Sequence, residues 1–173
     1  MILETPRLLV RPFTVDDAAF VHALVNDPDW LKHIGDRNVH SLEDARGYIE
    51  KRVLASYQRN GFGMWVVCLR SSGEPIGTCG LIQREGFEDA DIGFAFLPAY
   101  RGKGYALESA KAVMSHGTSV LGMKRIVAIV SPANEPSIRI LEKIGMTFEG
   151  MIRLPEDTED IRLYSIDRTD GAP

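Results

Sequence analysis

YRGKGYA, residues 100–106, lies between the apolar run IGFAFLP and LESAKAVMSH, a segment with helical spacing. A strand, a tight turn carrying Gly102 and Gly104, and a helix that begins inside the turn leave several backbone N–H groups unpaired at the positive end of a helix dipole. That arrangement suits a phosphate. Glycine lets the backbone approach a ligand with no Cβ in the way, while Arg101 and Lys103 add positive charge. The same letters also suit a plain strand-to-helix turn with solvated basic residues, so the rest of the chain has to decide.

Two familiar phosphate loops can be tested directly. A G-x-G-x-x-G dinucleotide fingerprint needs a small residue where this chain has Leu107, and an acid at the end of the next strand, where it has Ser131. The Gly-Lys-Ser/Thr ending of a Walker loop is absent. Neither nucleotide fold fits.

Working outward from the loop, MWVVCLR and IGTCGLIQ around SSGEP predict a hairpin, and ADIGFAFL adds a third strand to the meander. RIVAIVSP is apolar on both faces, as in a strand with a parallel neighbour. MTFEGMIR and IRLYSID predict two last strands, and RLLVRPF a first one. Thr14 caps a helix over VDDAAFVHALVND, and after a PDW turn Ser41 and Asp44 resemble a capping box opening a helix over about residues 42–59. The loop helix runs over about residues 102–120, and NEPSIRILEKIG forms another between Asn134 as cap and Gly145 as stop. These elements predict one α/β or α+β domain over residues 1–173, with a disordered tail at about 168–173.

Composition excludes several classes. With 45% hydrophobic and 25% charged residues the 173-residue chain reads as globular, and a net charge of -4 argues against nucleic acid as partner. No apolar stretch approaches the ~20 residues of a membrane span, and charges interrupt MILETPRLLVRPF where a signal peptide needs an apolar core, so a cytoplasmic protein without a membrane partner is expected. The histidines at 22, 33, 40 and 116 lack ligand spacing, and no metal is expected. Cys68 and Cys79 flank a hairpin turn, where they form either a disulfide or redox pair or two half-buried thiols in a reducing compartment, the commoner case.

Arg101, Gly102, Lys103, Gly104, Tyr105 and Ala106 match R-x-x-G-x-A, and here the chain resembles the GNAT superfamily of acetyl-CoA-dependent N-acetyltransferases. TPRLLVRPFTVDDA, ADIGFAFLPAYRGKGYALES and NEPSIRILEKIGMTFEG are each similar to stretches of its RimJ/RimL-like branch, so the resemblance covers about residues 3–165. It implies a GNAT fold, a central, mostly antiparallel sheet of about seven strands flanked by about four helices. It also implies acetyl-CoA as co-substrate and direct attack by a primary amine in a ternary complex, in a monomer or homodimer.

The resemblance assigns residues as well. Backbone N–H groups of residues 101–106 would hold the coenzyme pyrophosphate, and the pantetheine arm would pair like an extra strand with residues 94–97. Phe94, Phe96 and Leu97 are thus candidate coenzyme contacts, with the Phe96 or Leu97 amide polarising the thioester carbonyl. Asp91, two residues before Gly93, is a candidate general base against the alternative of a carboxylate without a proton role; Glu85 and Glu88 are looser candidates. Glu108 reads as structural. Many members carry a tyrosine acid at the position of Leu141. Its absence shifts leaving-group protonation to Ser137, which otherwise is a first-turn serine bonded to its own backbone, while Asn134 contacts the pantetheine arm or caps its helix.

The acceptor is less defined. By branch resemblance it is the N-terminal amine of a peptide or protein, with a small amine as second choice. Residues 30–38, WLKHIGDRN, form a candidate specificity loop; Trp30, Trp65 and Phe87 are candidate pocket aromatics, and PEDTED at 155–160 is a charged run that either attracts a cation or is simply solvated. A non-catalytic acetyl-CoA or CoA sensor is the competing class, because the tyrosine is missing.

Overall fold

In the computed structural model, which describes residues 3–168, the alternating segments assemble into an eight-stranded mixed sheet. Its strands are β1 (Leu3–Glu4), β2 (Leu8–Arg11), β3 (Met64–Leu69), β4 (Pro75–Ile82), β5 (Asp91–Phe96), β6 (Arg125–Val130), β7 (Thr147–Ile152) and β8 (Ile161–Asp167). The order is β1-β2-β3-β4-β5-β6-β8-β7. Every neighbouring pair is antiparallel except β5 and β6, so the doubly apolar β6 has its parallel neighbour. The count exceeds the expected seven because two-residue β1 is too short to show alternation. The expected tail lies, apart from Arg168, outside the described residues.

Helices cover both faces. α5 (Tyr105–Ser119) and α6 (Glu135–Lys143) bury Ala110, Val113, Met114 and Leu141 on the face that carries Trp65, Val67, Cys79 and Ile126. Across the sheet, α1 (Ala18–Val25) and α3 (Leu42–Tyr48) bury Phe20, Val21, Leu24 and Ala45 against Val66 and Cys68. The two cysteines therefore occupy opposite faces. Trp65, not Cys68, stands opposite Cys79, and both thiols are free and buried. Burial raises the Cys68 thiol above its ordinary value and pushes that of Cys79 up to about 12, which leaves neutral, unreactive thiols at neutral pH.

Local chemistry sets the helix ends. The PDW segment at 28–30, expected as a turn, opens α2 (Pro28–His33), because the Asp27 carboxylate accepts the N–H groups of Asp29 (3.1 Å) and Trp30 (3.4 Å) and Pro28 starts the helix. The helix expected over 42–59 is α3, a π-helical stretch at Ile49–Leu54, and α4 (Ala55–Asn60), stopped at Gly61 with φ 76°. Ser41 Oγ accepts the Asp44 N–H at 3.0 Å, but the Asp44 carboxylate accepts from His40 N–H rather than closing a box on Ser41. The loop helix begins at Tyr105 rather than Gly102, since Gly102 (φ 72°) and Gly104 (φ 84°) are left-handed.

Candidate active site

β5 and β6 start side by side and then part. Their ladder pair among the described residues is Asp91↔Val127, supported by Val127 N–H donating to Ala90 O at 3.0 Å. Beyond it a cleft of about 910 Å³ opens, lined from β5 by residues 91–96 and from β6 by Ala128, Ile129 and Val130. The start of α5 closes one end of this opening, and α6 lines it through Asn134, Ser137 and Leu141. The parting of two parallel strands thus makes the site.

Ladder parity decides which β5 amides face the opening. Leu97 N–H donates to Ile76 O at 3.0 Å, and with Ile76 paired across from Leu97 the alternation turns the amides of Gly93 and Ala95 toward β4 as well. The amides of Phe94 and Phe96 accordingly face the β6 side. Of the two amides expected to polarise a carbonyl, Leu97's is therefore committed to the sheet and Phe96's faces the cleft. The Phe96 carbonyl accepts the Arg101 Nε–H at 3.0 Å, which fixes the end of β5 to the loop.

The loop itself has unspent donors. The first backbone bond of α5 runs from Glu108 N–H to Gly104 O at 3.0 Å, so the N–H groups of Tyr105, Ala106 and Leu107 lack partners within the helix. Gly104 has no capping side chain that could take them. Arg101 contributes less than its charge suggested. Its N–H bonds Pro98 O at 3.3 Å, and its guanidinium binds Asp27 and Asp29 (2.6 Å), tying the loop to α2. Lys103 is exposed, with Nζ 5.8 Å from the Tyr100 ring centroid. Arg7 holds the loop from the other side: Nη1 bonds Lys103 O at 2.9 Å, its guanidinium lies over the Tyr105 ring, and Nε pairs with Glu108 at 2.7 Å. Glu108 also accepts from Thr5 Oγ1 (2.6 Å) and Arg7 N–H (2.9 Å), so it clamps the helix start to the β1–β2 turn.

Asp91 lies where β5 and β6 part, 3% exposed. Its Oδ2 accepts from Arg84 Nε at 3.1 Å, whereas Oδ1 is buried without a hydrogen-bond partner. Burial pushes this carboxyl above its ordinary value, against the pull of the Arg84 guanidinium. Glu85 and Glu88 are exposed on the β4–β5 loop and do not line the cleft. Across the opening, Asn134 Oδ1 caps α6 by accepting Ser137 N–H at 3.4 Å, and no hydrogen bond of the Ser137 hydroxyl is found among the described residues. Leu141 is 2% exposed and supplies only apolar surface.

A family model described as an acetyltransferase (GNAT) domain matches residues 7–147. The chain belongs to the GNAT family of N-acetyltransferases. An uncharacterized N-acetyltransferase of Bacillus subtilis, YoaA, is 36% identical over 155 residues, covering 88% of this chain and 86% of its own. The crystal structure of a GNAT-family acetyltransferase from Bacillus anthracis shares 32% identity at a TM-score of 0.81, with 96% and 98% of the two chains covered. RimL, a ribosomal L7/L12 alpha-N-protein acetyltransferase, superposes at a TM-score of 0.80 with 22% identity over 96% of this chain and 93% of that one, a likeness of fold alone.

Acetyl-CoA is the co-substrate that a GNAT domain implies, and the residues present fit it. Three amides without helical partners and two glycines at the head of α5 suit a pyrophosphate, and the outward amides of Phe94 and Phe96 suit an extended amide-bearing arm. When bound it supplies the thioester-activated acetyl group. Among the described residues no helix is long and apolar enough to cross a membrane.

Several GNAT cleft residues were not singled out from sequence. Arg84, the partner of Asp91, sits seven residues away across the β4–β5 loop, and the Ile82↔Asp91 register was the missing link. Asp27, read from sequence only as the end of the segment before the PDW turn, both caps α2 and pairs with Arg101. Of the three candidate aromatics only Trp30 lines the cleft; Trp65 packs in the core edge-on to His116, and Phe87 stays outside.

Proposed function

We propose that this GNAT domain acetylates a primary amine by direct attack on acetyl-CoA in a ternary complex, as a member of the RimJ/RimL-like branch. One observation carries the reading: the parting of β5 from β6 exposes two backbone amides directly beyond a buried carboxylate with an unpartnered oxygen. Amides of Phe94 and Phe96 hold the arm and polarise the carbonyl oxygen. The N–H groups at Tyr105, Ala106 and Leu107 hold the pyrophosphate, with Gly102 and Gly104 admitting it and Lys103 adding charge. Asp91 accepts the ammonium proton, directly or through water, and its raised pKa makes it a stronger base than an ordinary carboxylate. Ser137 protonates or hydrogen-bonds the departing thiolate, and Asn134 presents Ser137 by capping its helix.

The acceptor we favour within this reading is the α-amine of a peptide or protein. Such an amine titrates near 7.7–8.0 and needs less help from a base than a lysine-like amine near 10.4. Thiol release from acetyl-CoA with a panel of amines and N-terminal peptides tests the reaction. Amine-dependent release that falls in Asp91→Asn and Ser137→Ala at intact coenzyme affinity is expected. Tight coenzyme binding with no amine-dependent release across the panel would assign the domain to the sensor class instead, which Leu141 in place of a tyrosine makes the specific competitor.

A further inference from the structure

Arg37 stands in the loop between α2 and α3, and that loop is fixed from within. The Asp36 carboxylate accepts Asn38 N–H at 2.8 Å, Asn38 is left-handed (φ 55°), and Asn26 Nδ2 holds Val39 O at 2.8 Å. Val39 is buried beneath it. The arginine so presented lines the cleft, as does Trp30 of α2. Arg37 Nε and Trp30 Nε1 are both buried and lack a hydrogen-bond acceptor among the described residues. A buried N–H without a partner is costly, and an arriving acceptor atom recovers that cost.

The carboxylates of the same wall are already engaged. Asp27 and Asp29 are held by Arg101, and Asp91 by Arg84 Nε. Arg84 spends Nε there, and its side chain is 33% exposed at the cleft. The cleft lining holds Arg84, bonded to the proposed base, and His33 and Arg37 from α2 and the loop after it, while the β7–β8 loop contributes Asp157. Arg37 and Arg84 keep guanidinium donors free in a lining whose carboxylates, Asp157 apart, are ion-paired, so the cleft repels a polycation and attracts an anion. A guanidinium presents parallel N–H donors in a plane, a fork that pairs bidentately with an oxyanion such as a carboxylate.

We propose that the acceptor amine carries a carboxylate of its own, received by Arg37 together with Trp30 Nε1 and steered by Arg84. The carboxylate comes either from the α-carboxyl of a free amino acid or from an acidic side chain beside a peptide's amino terminus. The proposal rests on the amine-acetylating reading of the cleft and names the acceptor's second functional group.

The test compares each carboxylate with its amide: glutamine with glutaminamide for the α-carboxyl of a free amino acid, and peptides beginning with Glu or Gln for the peptide. Spermidine serves as the polycation. The carboxylated member of at least one pair should show about tenfold or greater kcat/KM than its amide, and should exceed spermidine. Arg37→Gln should bring that ratio to about one through KM, with kcat changed little, and Arg37→Lys should restore part of it. Trp30→Phe keeps the ring's bulk, removes the Nε1–H, and should lower the ratio in the same direction. Equal use of acid and amide in both pairs, a preference for spermidine, or an unchanged ratio in Arg37→Gln overturns the proposal while leaving the acetyltransferase reading intact. Calorimetric binding to the CoA-saturated protein separates the two. Carboxylate-selective binding without thiol release keeps the Arg37 site and ends the catalytic reading, and binding without selectivity ends the Arg37 site.

Discussion

Glu108, at the head of α5, and Asp91, in the cleft lining, are both carboxylates paired with an arginine, yet their surroundings drive them in opposite directions. Glu108 accepts three hydrogen bonds from Thr5 and Arg7, one of which is its ion pair. Burial alone would raise its pKa, but the bonds from Thr5 and Arg7 outweigh that and hold it below the ordinary value. Asp91 accepts one side-chain bond and leaves Oδ1 bare, so burial prevails and its value rises. The difference separates a carboxylate that fixes the cleft's wall from one that retains capacity for a proton. Saturation makes scaffold, and an unspent lone pair makes chemistry.

The largest effect that sharpens this contrast is on turnover at Asp91. Asp91→Asn keeps the shape and removes the proposed base, and should lower kcat by about 100-fold or more while leaving the affinity for CoA unchanged in titration. Full turnover in this variant would make Asp91 a buried structural acid like any other, and the comparison would collapse. At the other end of the cleft, Gly104→Val should weaken CoA binding by about tenfold or more, a loss of about 1.4 kcal/mol. The position has φ 84°, and even a Cβ would lie 3.2 Å from Arg7 Nη2, so the substitution strains the loop and displaces its clamp. Unchanged affinity would remove the loop from the coenzyme site. Glu108→Gln comes next, with a stability loss of about 1–3 kcal/mol in chemical denaturation, because charged hydrogen bonds are lost and partners left short. Its kcat should stay within a few-fold of the parent, in contrast with Asp91→Asn.

How much of this could be read from letters follows from range. The strand-loop-helix around Gly102 and Gly104 is local, and so is the both-face hydrophobicity of β6 that announced a parallel neighbour. The alternation in β3, β4 and β5 carried the meander for the same reason. What escaped depends on pairings between distant segments. Arg101 looked like a phosphate ligand because its partners, Asp27 and Asp29, lie more than seventy residues away. The choice between Phe96 and Leu97 needed the parity of the β4–β5 ladder, which no run of residues displays. Glu88 and Asp91 are three positions apart in one acidic stretch, and only the loop's path sends the first to solvent and the second beneath the cleft. Arg37 and Trp30 fell inside the stretch flagged for specificity, but their unpartnered N–H groups arise from burial, a property of the folded chain.

The smallest effect is the most diagnostic, because the two carboxylates should give slopes of opposite sign. Asp91's folded-state pKa is raised, so the folded protein holds this proton more tightly than the unfolded chain does. The stability it contributes is full below the ordinary aspartate value of about 3.9 and is lost as pH rises through the folded value. An amide in its place cannot ionise, so the Asp91→Asn variant should gain stability relative to the parent as pH rises across that window and then level off. Glu108 runs the other way: its lowered value stabilises above the ordinary glutamate value of about 4.3, and that contribution disappears as pH falls through the folded value. Glu108→Gln should therefore lose least, relative to the parent, in acid and most at neutral pH. Denaturant midpoints for the parent and both variants across the acid range would read the two slopes directly. Parallel slopes would mean that Asp91 is as well satisfied as Glu108, and the bare Oδ1 could not then serve as the seat of a transferable proton.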